Sequence, residues 1–394
     1  MNAARIGMIT MMVTIATAGL ASCAISTARA TTAGEGAKSS EHNGIELKRV
    51  LDRVMARPEI RTEKGFTARV LIAPGESKLY DPLFMHDHAG TVWINDDGGQ
   101  EGDKGSQILA IERNGKVSDV VVLGRLLPVI GFDIAPASFA PYRGQIFTVS
   151  QVEIGRGGSE KGHIVQRIDP TTQREPETFC TLPPAGGTDG KGIPSWGMEG
   201  RFGPEGSPFA GKFFAVTKTN STVYQVTPDG KCTPFVSFDS QKWGGSAFGL
   251  TFSPDGEHML VSMLGGEGTI LRVRADGTVE TEPLLRMGGK HLDVWGMEYA
   301  PAGFGAYAGQ LFVAALDLGK RRYTVYQTQT EPADGEVYRL TPEGELHRVA
   351  SGFRFPVGVH FVGNRLWVSD PNGDFIAGGR ELPDGFVVEI APAP

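Results

Sequence analysis

The chain has 394 residues, with 54 glycines, 25 prolines, 21% charged residues and a formal net charge of -7. That length is ample for a large core, and the Gly/Pro-rich, weakly charged composition suits many short strands joined by tight turns. No long basic block is present, which argues against nucleic acid as a partner.

In chain order, residues 1–30 read as an export signal. Arg5 precedes an apolar run from Ile6 to Leu20, too short to span a bilayer comfortably. Two processing sites compete: Ala28-Arg29-Ala30 fits small-x-small cleavage, and Leu20-Ala21-Ser22-Cys23 resembles a lipobox that would make Cys23 a lipid anchor. Either one sends the mature chain out of the cytoplasm, to the periplasm or the outer membrane, and no later segment is long and apolar enough to be a transmembrane helix. Residues 31–65 read as a tether followed by an amphipathic helix, Ile45 to Arg57, with Leu47, Val50, Leu51 and Val54 on its apolar side.

From residue 66 to 394 the chain repeats. A Gly followed by a short apolar strand recurs at Gly131, Gly197, Gly249, Gly296 and Gly358, each followed by a β-rich strand such as Lys212-Phe213-Phe214-Ala215-Val216 or Arg365-Leu366-Trp367-Val368-Ser369. Third and fourth strands follow, separated by turns such as Pro228-Asp229-Gly230 and Ala275-Asp276-Gly277. Units of about 50 residues with four strands are the signature of propeller blades. The fold class expected is all-β, a six-bladed β-propeller with a short N-terminal helix. The first unit, around Leu83 to Ile94, lacks the Gly, and the strand Phe66 to Ala73 supplies the outer strand missing from the last unit, closing the ring. Cys180 and Cys232 fall in or beside outer strands of neighbouring blades; spacing alone leaves their pairing open.

In such a ring, the position two after each motif Gly recurs at one height around the central tunnel. It holds His86, Asp133, Glu199, Thr251, Glu298 and His360. Carboxylates and imidazoles converging on an axis are good metal ligands, and His86, Asp133, Glu199, Glu298 and His360 are the candidate set for a divalent metal, calcium first. Ordered water is the alternative occupant. Three close carboxylates need a cation or water to relieve their repulsion.

The second strands end at the same face with Asn95, Asp96, Gln151, Lys218, Asp317 and Asp370, followed by long connectors, for example Asp97 to Gly105 and Leu318 to Gly335. Loops gathered at one mouth are where a binding site is built, and Asp96, Gln151, Asp317 and Asp370 are the candidate catalytic residues. Trp196, Phe248, Trp295 and Phe355 stand at this mouth, either walling an apolar pocket or sealing contacts between blades. His163, His258, His291 and His347 are isolated and read as surface residues. Asp370-x-Asn372-x-Asp374 with Glu381 imitates part of a calcium loop, with Phe375 where the bend needs Gly.

At Phe248-Gly249-Leu250-Thr251-Phe252-Ser253-Pro254-Asp255-Gly256 and Trp295-Gly296-Met297-Glu298 the chain resembles the six-bladed calcium propellers of the gluconolactonase, diisopropylfluorophosphatase and paraoxonase group. The resemblance implies hydrolysis of lactones, esters or phosphoesters with calcium at the tunnel mouth, and matches Glu298 and His360 to a tunnel-metal pair. It does not extend to the catalytic calcium. That group has Asn or Asp immediately before the motif Gly, where this chain has Ile130, Trp196, Phe248, Trp295 and Val357. Two functions are therefore expected: an exported metal-dependent hydrolase of a small lactone, ester or related substrate, or a non-catalytic binding or assembly propeller with a small molecule at its mouth.

Overall fold

The computed structural model describes residues 51–96, 106–122, 129–154, 160–172, 175–183, 197–218, 220–264, 268–286, 292–317, 335–372, 376–377 and 380–394. The export signal, Cys23, Trp196, His291, Asp374 and most long connectors at the mouth lie outside these residues.

Strand alternation and turn glycines give a chain of antiparallel sheets. A helical turn α1 (residues 51–54) leads into β1 (Arg61–Thr62) and β2 (Phe66–Ile72). Blade one is β3 (Pro82–His88), β4 (Thr91–Asp96), β5 (Gln107–Ile111) and β6 (Val117–Val122). Blade two is β7 (Val129–Ile134), β8 (Ile146–Ile154), β9 (Glu160–Ile168) and β10 (Glu177–Thr181). Blade three is β11 (Gly197–Phe202), β12 (Phe213–Thr217), β13 (Thr222–Val226) and β14 (Cys232–Ser237), followed by α2 (Ser240–Trp243). Blade four is β15 (Ser246–Phe252), β16 (His258–Leu264) and β17 (Thr269–Arg274). Blade five is β18 (Leu292–Tyr299), β19 (Leu311–Asp317), β20 (Gly335–Leu340) and β21 (Leu346–Phe353). Blade six is β22 (Val359–Val362), β23 (Arg365–Asp370) and β26 (Phe386–Pro392), interrupted by a two-stranded ribbon, β24 (Ile376–Ala377) with β25 (Arg380–Glu381).

Six blades form a propeller. The inner strands β3, β7, β11, β15, β18 and β22 touch in that order, and β22 returns to β3. The seam lies in blade six, whose sheet order β2-β26-β23-β22 makes Phe66–Ile72 its outermost strand. This is the closure expected from the sequence. β1, inside the stretch read as tether and helix, adds a fifth strand to the edge of blade five. Blade four lacks the fourth strand expected after Ala275-Asp276-Gly277; isolated bridges Val273–Val279 and Ile270–Leu285 stand in its place. Pro283 falls in that stretch, and a residue without an N–H cannot donate to a ladder.

The core lies between blades. Phe147, Phe202 and Phe213 pack edge-on between blades two and three, and Phe304, Phe312 and Phe361 between blades five and six. The connectors after the inner strands of blades two, three and five bury Phe139, Phe209 and Phe304 at the closed rim. Cys180 of β10 and Cys232 of β14 form a disulfide with a Cα separation of 6.3 Å, joining the outer edges of blades two and three. The helical turn packs on the propeller: Val54 is fully buried, and the side-chain amide of Asn372 donates to the carbonyls of Val54 and Asp384. Among the described residues no helix is long and apolar enough to cross a membrane.

Candidate functional site

The motif glycines are dictated by how closely neighbouring inner strands approach. A Cβ on Gly249, Gly296 or Gly358 would lie 2.1, 2.3 or 2.2 Å from the carbonyl oxygen of Trp295, Val357 or Leu83 on the next blade. Hydroxyls from the second strands fasten these points. The Gly249 amide donates to Ser262 Oγ, which donates to the Val294 carbonyl, and the Gly358 amide donates to Ser369 Oγ, which donates to the Leu83 carbonyl. Register shifts fall beside the motif position in β3, β7, β11, β15 and β18, re-aiming the side chains that follow.

Those side chains form one continuous array around the tunnel. His86 Nδ1 lies 3.4 Å from Asp133 Oδ1. The Phe202 amide donates to Asp133 Oδ2 at 2.8 Å and the Leu250 amide to Glu199 Oε2 at 2.5 Å, so each carboxylate reaches across to the next blade. His360 sits between two more, with Nδ1 3.0 Å from Glu298 Oε2 and Nε2 3.5 Å from Asp87 Oδ1. The His86 and His360 ring centroids are 6.2 Å apart. Thr251 is buried in the same ring.

Two members were missing from the sequence reading. Arg201 stands two residues after Glu199, on the same face of β11, and its Nε donates to Glu199 Oε1 at 2.6 Å. Asp87 reaches His360 from the neighbouring blade. The two-residue strand period that placed Glu199 also places Arg201; reading a single layer of the tunnel overlooked it.

The electrostatics follow from burial and from Arg201. Burial would lower the guanidinium, but Glu199, Glu298 and Asp133 outweigh it and hold Arg201 above its ordinary value. Burial raises Glu199 despite Arg201 and the Leu250 amide, and raises Asp133 to about 6 despite the Phe202 amide and Arg201. Burial, Arg201 and His360 together hold His86 well below its usual range, whereas Glu298 and Asp87 overcome the burial of His360 and push it up to about 9. The ring thus carries its own positive charge on Arg201 and His360.

At the mouth, Asp96 and Asp370 are fully buried at the ends of β4 and β23. Asp96 accepts from the Tyr80 and Asp81 amides and Gln107 Nε2; Asp370 accepts from the Arg354, Phe355 and Asn372 amides. Both hold the segment that enters an inner strand. Gln151 lies within β8 and Asp317 ends β19; their side chains lie outside the described residues. Lys218 follows β12, its ammonium lowered chiefly by burial, with Asp293 acting in the opposite sense. Phe248, Trp295 and Phe355 are buried and stack edge-to-face, with centroids 4.4 and 4.5 Å apart, so they seal blade contacts. In the partial calcium loop, Asp370 and Asn372 are tied to backbone groups as described above.

A calcium ion takes about six to eight oxygens. In the ring, both oxygens of Asp133 and both of Glu199 already accept hydrogen bonds, and one oxygen of Glu298 faces His360. Arg201, bonded to Glu199 and within the fields of Asp133 and Glu298, already places a positive charge among these carboxylates, which does not suit a further calcium ion. Among the described residues, the group with ligand atoms within 4.8 Å of one another is Asp255, Glu257 and His258, in the turn between β15 and β16. Asp255 there accepts from Ser253 Oγ and the Glu257 amide, and His258 faces Glu280.

The isolated histidines divide. His347 and His258 are half-buried, but His163 is 4% exposed in β9 and is not a surface residue. Burial lowers it to about 4. β9 is an interior strand of its sheet, paired on both sides by β8 and β10.

No protein-family model matches the chain, and no curated protein matches it. Solved structures do resemble it. A glucose dehydrogenase is 14% identical with a TM-score of 0.54, covering 83% of this chain and 100% of its own. The soluble aldose sugar dehydrogenase of Escherichia coli is 13% identical with a TM-score of 0.54, again covering 83% and 100%. An auxiliary nutrient binding protein of Bacteroides ovatus is 12% identical with a TM-score of 0.51, covering 85% of this chain and 76% of its own. The shared property is the six-bladed fold. It does not single out the gluconolactonase group, and it spans enzymes and binding proteins alike, so function has to be read from the site.

Proposed function

We propose that the chain is an exported, non-catalytic binding propeller that takes a small molecule at its loop-rich tunnel mouth and uses its tunnel as a structural hub. The supporting observation is the commitment of its buried carboxylates. Asp96, Asp370, Asp133 and Glu199 each accept from amides or from Arg201 on both oxygens, so each already serves to hold a strand entry or the tunnel ring in place. The Cys180–Cys232 disulfide suits an oxidising compartment, in keeping with export and with an anchor at Cys23.

The second reading is a calcium-dependent hydrolase of a small lactone, ester or related substrate. It draws on Gln151 and Asp317, whose strands run to the mouth and which would have to hold the cation there. Purified mature protein decides between the two. Gluconolactone and p-nitrophenyl acetate are expected to hydrolyse no faster than in buffer, with or without calcium chloride, while a panel of monosaccharides, sugar acids and amino acids raises the melting temperature for at least one class. Calcium-dependent turnover that is lost in Asp317→Asn would overturn the binding reading.

A further inference from the structure

Carboxylates converging on a tunnel axis repel one another strongly in a low-dielectric interior unless a cation stands among them. Here that cation belongs to the chain. The Arg201 guanidinium lies in the tunnel with its side chain 12% exposed, bonded to Glu199 and within the fields of Glu298 and Asp133 on two other blades. The corresponding position, four after the motif Gly, is Ala135 in blade two, Ser253 in blade four, Ala300 in blade five and Val362 in blade six; blade one has His88 there. Blade three alone supplies a long cationic side chain at this step.

A second feature points the same way. His86 Nε2 is buried without a hydrogen-bond partner, while Nδ1 of the same ring lies 3.4 Å from Asp133 Oδ1. It is a ligand-type nitrogen left over beside an occupied centre.

We propose that Arg201 is the resident cation of the tunnel, a covalently attached substitute for a divalent metal, and that a metal site lies latent beneath it. With the guanidinium in place the ring takes no ion. With it removed, Glu199, Asp133 and Glu298 are left around a centre of net negative charge, with His86 beside them, that a divalent cation of the calcium or manganese type can fill. The inference is independent of what the mouth binds, because it concerns a different layer of the tunnel.

The test is the melting temperature and metal content of the mature chain in EDTA, in calcium chloride and in manganese chloride. It compares wild type, Arg201→Met, Glu199→Gln and the Arg201→Met/Glu199→Gln double variant. Wild type is expected to melt at the same temperature in all three solutions. Arg201→Met is expected to lose roughly 5 °C or more in EDTA and to regain most of it with one of the metals. The double variant, one carboxylate fewer, is expected to recover stability without metal. If Arg201→Met fails to fold, the double variant decides: folding without metal supports the inference and failure overturns it. An Arg201→Met protein as stable as wild type and indifferent to metals also overturns it. So does stoichiometric wild-type metal that is lost in Glu199→Gln. Metal that persists in Glu199→Gln lies outside the tunnel ring, at the mouth or at Asp255, Glu257 and His258, and leaves Arg201 as the tunnel cation, in support of the inference.

Discussion

At the scale of single residues, two kinds of position carry sharp expectations. The first is the motif glycine. A Cβ on Gly249 meets the Trp295 carbonyl at 2.1 Å, and backbone cannot swing aside as a long side chain can. Gly249→Ala should therefore destabilise the protein by about 3 kcal/mol, the upper end of ordinary overpacking, measurable by urea denaturation. The second is His163. Its folded value is depressed to about 4 by burial, so the unfolded chain binds the proton more readily. The stability it permits is complete above the unfolded value near 6.5 and is lost as pH falls toward 4, by about 3 kcal/mol over that window. His163→Phe should flatten the fall in denaturation midpoint between pH 6.5 and pH 4. An unchanged profile would assign the acid sensitivity to other groups.

At the scale of elements, the two fasteners of the ring can be weighed. The disulfide ties β10 to β14 across a separation of 52 residues. In the chain-entropy account a loop of that length stabilises the folded state by about 4 kcal/mol. Cys180→Ser with Cys232→Ser, or reduction with dithiothreitol, should lower the denaturation midpoint accordingly while leaving the far-ultraviolet spectrum unchanged. The seam is the other fastener. Glu389 on β26 accepts from Arg69 on β2 and from Trp367 Nε1 on β23, so one carboxylate spans three adjacent strands. Arg69 is largely exposed and its ion pair contributes little; the backbone ladder between β2 and β26 carries the closure.

For the whole molecule, removing residues through Ile72 strips β2 and leaves β26 as an open edge. The truncated protein should self-associate, seen as a higher-mass species in size-exclusion chromatography with light scattering, where the full mature chain does not. Much of this architecture was legible in the sequence because a blade is one pattern written six times. The glycines mark where inner strands nearly touch, and counting two residues onward from Gly131, Gly197, Gly296 and Gly358 picks out Asp133, Glu199, Glu298 and His360, of which Glu298 lies against His360 and the three carboxylates act on Arg201. What the pattern did not reveal is whatever breaks the repeat. Arg201 has no counterpart in the other blades, β1 adds a strand where no blade calls for one, and isolated bridges replace the fourth strand of blade four in the stretch that holds Pro283. The burial of Asp96 and Asp370 was not legible either, because an acidic residue at a mouth looks the same in sequence whether it faces solvent or three amides. The seam has a further consequence in time. Phe66 pairs with Pro392 and Ile72 with Val387, so the first strand of the propeller has its partner in the propeller's last strand. A chain delivered N-terminus first must keep β2 unzipped while six sheets' worth of polypeptide arrives behind it, and the ring becomes a ring only when β26 emerges.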